Sequence, residues 1–431
     1  MEKKKLHYGF VIVAAIFIDI LVCGGIFFGS SGVFIVPVTE SLGIGQGDFS
    51  MYLTIQSVTM AATMLIAPKL LGKFSYKKLN ALAVILSGAG FSIMGMAQDI
   101  LLLYIGGVLI GFGCVFLTYL ISGTLLPHWF KQKLGTMIAL VTSGLGIGGI
   151  IFNPVASAII NTNGILGFDE GWRAAYIALG VLVIIICLPI ALFVLKDYPS
   201  DKGLLPYGDQ AGETCNGPRT VSGVSKSVAV KSASFVWYVV MILCYTLPSG
   251  IMTFLPAFAG TSPAMGTVGF DLSGVIGSVG MLGAIFGGFI IGAANDKFGA
   301  HIGGLVAGAF GAVGFIIMLL GGGSAYLLLS GAALYGIYYQ INQVQMPAMV
   351  NTMYGQREYD KIFPVGAVFG PWVGAASYAI WGFVYDATSS YTAMLVIGLA
   401  LSILTAITGI LAVTCSKKLP QETVEIEAPT V

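Results

Sequence analysis

Residues 196–234 read KDYPSDKGLLPYGDQAGETCNGPRTVSGVSKSVAVKSAS, and here the apolar pattern that fills the rest of the chain stops. The Asp, Lys, Gly, Pro and Ser of this stretch make it a hydrophilic linker. A membrane span takes about 20 predominantly apolar residues. Six candidate spans precede the linker, at 9–37, 49–71, 79–98, 100–126, 134–160 and 173–195. Six follow it, at 235–260, 272–294, 302–322, 324–349, 362–385 and 391–415. The reading is an all-α membrane protein of twelve transmembrane helices in two pseudo-symmetric six-helix bundles. The N-terminal bundle is 1–195, a cytoplasmic linker is 196–234, the C-terminal bundle is 235–415 and a cytoplasmic tail is 416–431. Six plus six around a central loop is an arrangement built for moving solutes.

Composition forces the same conclusion. Of 431 residues, 57% are hydrophobic and 9% charged, against about 25% charged in soluble proteins. So few charges cannot cover a water-soluble fold of this size, and lipid must solvate much of the surface. The 60 glycines suit helices that pack backbone to backbone in lipid. A net charge of +1 gives no hint of a nucleic-acid partner. Cys23, Cys114, Cys187, Cys215, Cys244 and Cys415 show neither paired nor metal-ligand spacing, so no metal or cofactor is expected. Lys3, Lys4 and Lys5 precede an apolar run from Tyr8 to Val38. That run exceeds the roughly 7–15 residues of a cleavable signal and reads as a retained first helix.

Alternating the segments from a cytoplasmic N-terminus puts Lys3, Lys4, Lys5, Lys69, Lys73, Lys77, Lys78, Lys131, Lys133, Lys196, Lys202, Arg219, Lys226, Lys231, Lys297, Arg357, Lys361, Lys417 and Lys418 inside. Of the 20 basic residues only Arg173 falls outside. Basic loops stay cytoplasmic, so both termini are expected inside a multi-pass plasma-membrane protein.

Polar stripes single out some spans. Span 2 carries Tyr52, Gln56, Thr59 and Thr63 on one helical face. Span 10 reads Tyr335-Gly-Ile-Tyr338-Tyr339-Gln340-Ile-Asn342-Gln343-Val-Gln345-Met-Pro347, with Tyr335, Tyr338, Asn342 and Gln345 in one stripe. Span 7 offers Tyr245 and Ser249 with the helix-bending Pro248 and Pro256, and span 4 offers Thr118, Tyr119 and Ser122. Span 11 adds Trp372, Ser377, Tyr378 and Trp381, the last read as an interfacial anchor. Uncharged amides in hydrocarbon need partners, so they should face other helices or water. A single Ser or Thr is satisfied by a hydrogen bond between helices; the amides of span 10 exceed that need. The candidate substrate-binding set is Tyr52, Gln56, Tyr119, Tyr245, Tyr338, Asn342 and Gln345. Spans 3, 6, 9 and 12 are almost wholly apolar and can face lipid.

Asp19 is the one ionisable side chain deep within a span. About ten residues into a helix rising 1.5 Å per residue, it lies roughly 15 Å deep. An ionised carboxylate there is costly and usually faces a bundle interior. Asp19 is therefore a candidate proton-coupling group or counter-ion for a cationic substrate; the alternative is a permanently protonated Asp bonding a neighbouring helix. No Lys or Arg lies mid-span, and His7, His128 and His301 all fall at inner ends.

Gly292-Ala-Ala-Asn-Asp296-Lys297-Phe-Gly299, between spans 8 and 9, resembles the G-x3-D-[RK]-x-G loop of the major facilitator superfamily. The resemblance implies that Asp296 and Lys297 serve a cytoplasmic gate. The first-half counterpart, Pro68-Lys-Leu-Leu-Gly72-Lys73-Phe74, has Gly72 where the Asp would stand. Gly135-x8-Gly144-x3-Gly148 is similar to the superfamily's antiporter motif, with Gly149 in place of Pro. Tyr8-Gly9, Gly171-Trp172-Arg173 and Lys202-Gly-Leu-Leu-Pro206-Tyr207-Gly208 resemble the bacterial monocarboxylate-transporter and oxalate/formate-antiporter branch. Members of that branch bind a carboxylate through a basic residue in span 8 or 11. Here span 8 has none and span 11 only Lys361, at its inner edge. The expected function is alternating-access secondary transport of a small organic solute, proton-coupled through Asp19, by a monomer in membrane lipid. An organic-anion symporter or exchanger and a membrane sensor on a transporter fold are the alternatives. A membrane enzyme is not expected, because no His/Asp/Glu/Cys constellation is present.

Overall fold

The computed structural model describes residues 7–162, 167–208, 219–355, 357–420 and 422–426. Its helices are α1 (Tyr8–Leu42), α2 (Gln46–Leu71), α3 (Tyr76–Met94), α4 (Ile100–Thr118), α5 (Leu134–Ile160) and α6 (Gly171–Val194). There follow α7 (Ala233–Thr261), α8 (Leu272–Phe298), α9 (Ala300–Leu320), α10 (Ala325–Tyr339 and Ile341–Tyr354), α11 (Tyr359–Ala367 and Phe369–Thr388) and α12 (Tyr391–Ser416). Ten of these are both long and apolar enough to cross a membrane. The other two fall short for visible reasons. α3 opens on Tyr76-Lys77-Lys78-Leu79-Asn80, and Gln340 cuts α10 into pieces of 15 and 14 residues.

Packing repeats with a six-helix period. In the first half α2 lies on α4, α4 on α3, α3 on α6 and α1 on α5; in the second, α8 lies on α10, α10 on α9, α9 on α12 and α7 on α11. Each second-half pair is the first-half pair advanced by six. The two most extensive contacts between the halves, α2 with α11 and α5 with α8, exchange under the same shift, and α1 also meets α7, where Gly32 lies against Thr253 and Pro256. Small residues permit such approach where lipid offers no hydrophobic drive. At the α1–α5 crossing a Cβ on Gly25 would stand 2.4 Å from the carbonyl carbon of Gly148.

Helices α1, α4, α7 and α10, three apart in the chain, all lose regular α geometry along their length. α1 widens into π turns over Ile20–Gly29 and tightens to 3-10 over Ser31–Phe34, and α4 ends in a π turn at Val115–Tyr119, followed past its end by another at Ile121–Leu125. α7 breaks between Ser249 and Ile251, where Pro248 cannot donate a backbone hydrogen bond. Such irregular backbone survives in a bilayer only inside protein or beside a wet cavity.

The described parts of the linker follow the end of the bundle at which α1 begins and α12 ends, called here the linker end. Tyr207 pairs with Phe130 after α4, and Val224 donates to the Tyr354 carbonyl at 2.8 Å. Strand β1 (Arg219–Gly223) pairs antiparallel with β2 (Glu422–Ile426), so the linker is also tied to the tail.

Candidate transport site

The broken helices α7 and α10 brace each other. Without a Pro248 N–H, the Cys244 carbonyl one turn earlier lacks its intrahelical donor, and the Tyr338 hydroxyl lies 3.5 Å from it. Tyr335 donates to the Pro248 carbonyl at 2.7 Å, and Trp381 Nε1 to the Leu247 carbonyl at 2.7 Å. In the other direction Tyr245 donates to the Tyr339 carbonyl, beside the break in α10, at 2.7 Å. The Tyr245 and Tyr338 rings meet with centroids 5.5 Å apart. The structure thus brings Tyr245 and Tyr338 together, the Tyr245 hydroxyl on backbone and the Tyr338 hydroxyl 3.1 Å from the Thr405 hydroxyl of α12. Trp381, expected as an interfacial anchor, is buried between α11 and α7; Trp372, one face round, is exposed.

The remaining candidates separate by half. Gln345 is buried and donates to the Ala300 carbonyl at the start of α9. Tyr52 and Gln56 are buried on the face of α2 that packs α4, against Gly107 and Gly111. The Tyr52 hydroxyl adjoins that of Tyr176 on α6, without a well-formed hydrogen bond, and both Gln56 amide atoms are likewise unsatisfied. The side chains of Tyr119 and Asn342 lie outside the described residues.

Asp19 is fully buried, on the side of α1 away from the Phe17 and Leu21 backbone that meets α5. Its neighbours are the Cys187 thiol of α6 and the Tyr76 ring of α3. Cys23, one turn on, has its sulfur 3.7 Å from that of Cys187. Asp19 therefore stands among α1, α3 and α6, inside the first half and apart from the α7–α10 cluster. Tyr76, Asn80 and Ser87 form a buried stripe on α3, a helix read from sequence as apolar. The signal was present as polar residues at 76, 80 and 87, but an overall apolar composition hid it. Among the described residues no group of three or more His, Cys, Asp or Glu side chains is placed to hold a metal ion.

The halves are clasped at the far end, opposite the linker. Asp386 of α11 accepts from the Gln46 and Gly47 backbone N–H groups at 2.9 and 2.8 Å, at the open N-terminus of α2. Asp271, which caps its own helix α8 at the Ser273 N–H, also accepts from Ser157 and, at 3.1 Å, from Asn161 of α5. Deeper in, Thr54 donates to the Ala375 carbonyl at 2.7 Å and Ser278 to the Ile150 carbonyl at 3.0 Å. Below that level the facing surfaces part. Val58 and Leu65 continue the Thr54 face of α2 and are 41% and 80% exposed; Val368 and Trp372 continue the Ala375 face of α11 and are 51% and 56% exposed. Asp296 and Lys297 lie exposed at the linker-end rim, with the Lys297 ammonium 5.2 Å from the Phe298 ring centre. Gly299, closing that motif, has φ +89° and so occupies a conformation that suits glycine.

Known proteins match both the sequence and this architecture. The chain is 22% identical over 167 residues to the uncharacterized MFS-type transporter YcxA of Bacillus subtilis, covering 38% of this chain and 39% of that one. It is 26% identical over 167 residues to the oxalate:formate antiporter of Oxalobacter formigenes, covering 39% of this chain and 38% of the relative. These matches span about two fifths of each relative's length. A solved bacterial homologue of the human lysosomal transporter Spinster, inward-facing and unoccupied, superimposes with TM-score 0.66 at 14% identity, over 96% of this chain and 97% of that one. At that identity the likeness speaks to fold alone. The family model described as Major Facilitator Superfamily matches residues 20–363, most of the chain. With its repeated six-helix packing and its two inter-half seams, the chain belongs to the major facilitator superfamily.

Proposed function

We propose that this membrane transporter moves a small organic solute by alternating access, with 1–195 and 235–415 rocking as units about the 196–234 linker. The observation that carries the reading is the asymmetry of the seam. Carboxylate and hydroxyl contacts close the far end, while the same helix faces are exposed toward the linker end. With the termini cytoplasmic in a plasma membrane, as the basic residues suggest, this is an inward-open state. Asp296 and Lys297 then belong to the cytoplasmic gate that closes when the far end opens.

The solute is held at the level of the helix breaks, where Tyr119, Tyr245 and Asn342 stand, and Tyr52, Gln56, Tyr338 and Gln345 hold the surrounding helices. Asp19 takes up the coupling proton. Uptake by proteoliposomes with and without an imposed pH gradient tests this; Asp19→Asn is expected to abolish gradient-driven accumulation. Full accumulation by that variant would remove Asp19 from the mechanism. A second reading, organic-anion exchange, is favoured by the similarity to the oxalate:formate antiporter. Thermal stabilisation of the purified protein by oxalate or formate, and not by neutral or cationic analogues of similar size, would support it.

A further inference from the structure

Inside the first half, four polar side chains of α1 and α3 are buried away from the seam between halves, Ser87 against Gly113 of α4 and the other three nearer the linker end of α3. Asp19, Asn80 and Ser87 are fully buried and Tyr76 is 6% exposed. Both carboxyl oxygens of Asp19, both amide atoms of Asn80 and the Ser87 hydroxyl lack hydrogen-bond partners. The Asn80 amide adjoins the Tyr76 hydroxyl, and Asp19 is close enough to act electrostatically on the same phenol. That hydroxyl donates to the Phe116 carbonyl, which lies in the π turn of α4. A buried polar atom left without a partner is costly. A buried water stabilises such a site when two to four polar groups surround it. Asp19, Tyr76 and Asn80 supply that number of polar groups.

We propose that Asp19, Tyr76 and Asn80 enclose a hydrated proton-binding pocket within the first half, filled from the linker end through Asn80 and Tyr76 rather than from the path between the halves. The inference rests on the reading of Asp19 as the proton carrier. Its entrance is marked by Asp197, whose carboxylate accepts from the Tyr76 and Lys77 N–H groups at 2.9 and 3.0 Å and caps α3 at the linker end. The titratable groups facing the pocket are Cys187 from α6, Tyr76 from α3 and Cys23 from α1 itself, with Cys114 of α4 beside Cys23. Among the described residues no Lys, Arg or His pairs with the Asp19 carboxyl, which leaves a proton to neutralise it. Tyr76 and Asn80 are positioning residues: they hold the water through which Asp19 exchanges.

Infrared pH-difference spectra of the full-length protein in liposomes test this without a known solute. A carboxyl C=O band that titrates in the wild type and is missing in Asp19→Asn reports Asp19, and its shift on transfer to D2O reports access. Tyr76→Phe and Asn80→Leu are expected to slow that shift at least tenfold, while the amide I band verifies folding. Tyr76→Phe is nearly isosteric, so it carries the test if Asn80→Leu does not fold. Wild-type exchange rates in folded Tyr76→Phe overturn the pocket and leave Asp19 as carrier. Identical pH-difference spectra for the wild type and Asp19→Asn overturn the carrier role itself, and the pocket with it.

Discussion

At the scale of the residue, several polar side chains spend their hydrogen bonds on backbone that a proline or a helix break has released. Tyr335→Phe removes the side-chain donor to the Pro248 carbonyl and leaves it the Gly250 N–H alone, at a cost of about 1 kcal/mol. Melting of the detergent-solubilised protein should fall by several degrees, whereas Tyr326→Phe, at a residue 74% exposed, should not move it. Equal melting of the two variants would mean the carbonyl finds another donor. Glu170 makes a different prediction. The Ser41 hydroxyl and then the Arg173 guanidinium hold its carboxyl below the usual glutamate range. A carboxyl lowered by folding stabilises above its unfolded pKa, about 4.3, and loses that contribution as pH falls through the folded value. Glu170→Gln should therefore lower stability at neutral pH, by a small amount because the pair is partly solvated, and flatten the acid limb so that variant and wild type converge once the pH is below the folded value. Sequence showed which residues were polar but not their targets. The span 10 stripe was legible as polar and buried, yet Tyr335 points at a carbonyl of α7 and Tyr338 at the Thr405 hydroxyl of α12, targets that no periodicity reveals.

At the scale of the element, length and hydropathy made the spans readable, and the breaks within them were not. Pro248 announced the break in α7, but nothing local marks the Gln340 interruption of α10 or the π turns of α1. Those depend on which neighbour accepts the released groups. The small-residue spacing in α5 was visible, but its partner was not: Gly148 faces Gly25 across a crossing with no room for a methyl group. Gly25→Ala should push α1 from α5, because the obstacle is backbone and cannot rotate away. The expected loss is about 1–3 kcal/mol, with transport falling further than stability if α1 must slide during each cycle. Melting and initial uptake rate measured together check this; unchanged values for both would mean the crossing is looser than it looks.

At the scale of the whole molecule, the same two carboxylates recur wherever the far end is closed. Asp386 and Asp271 both belong to the second half, and the first half answers with neutral donors: two N–H groups at a helix terminus, a hydroxyl and an amide. A helix N-terminus carries partial positive charge and favours an anion. Asp386 therefore stabilises the far-closed state by contacts that must break when the halves rock the other way. Asp386→Ala removes them without touching the breaks in α7 and α10, so it should shift the balance toward the far-open state. Solvent screens an exposed carboxylate; a tenfold shift, equivalent to about 1.4 kcal/mol, is the size to expect. A cysteine replacing Trp372, exposed where α11 parts from α2, reports the change through its labelling rate. That rate should drop severalfold when Asp386→Ala is added, while labelling of a cysteine placed at Ser50, buried on the Thr54 face of α2, should rise. Parallel changes at both positions would indicate general loosening, and no change at either would show that the clasp follows the conformational balance without setting it.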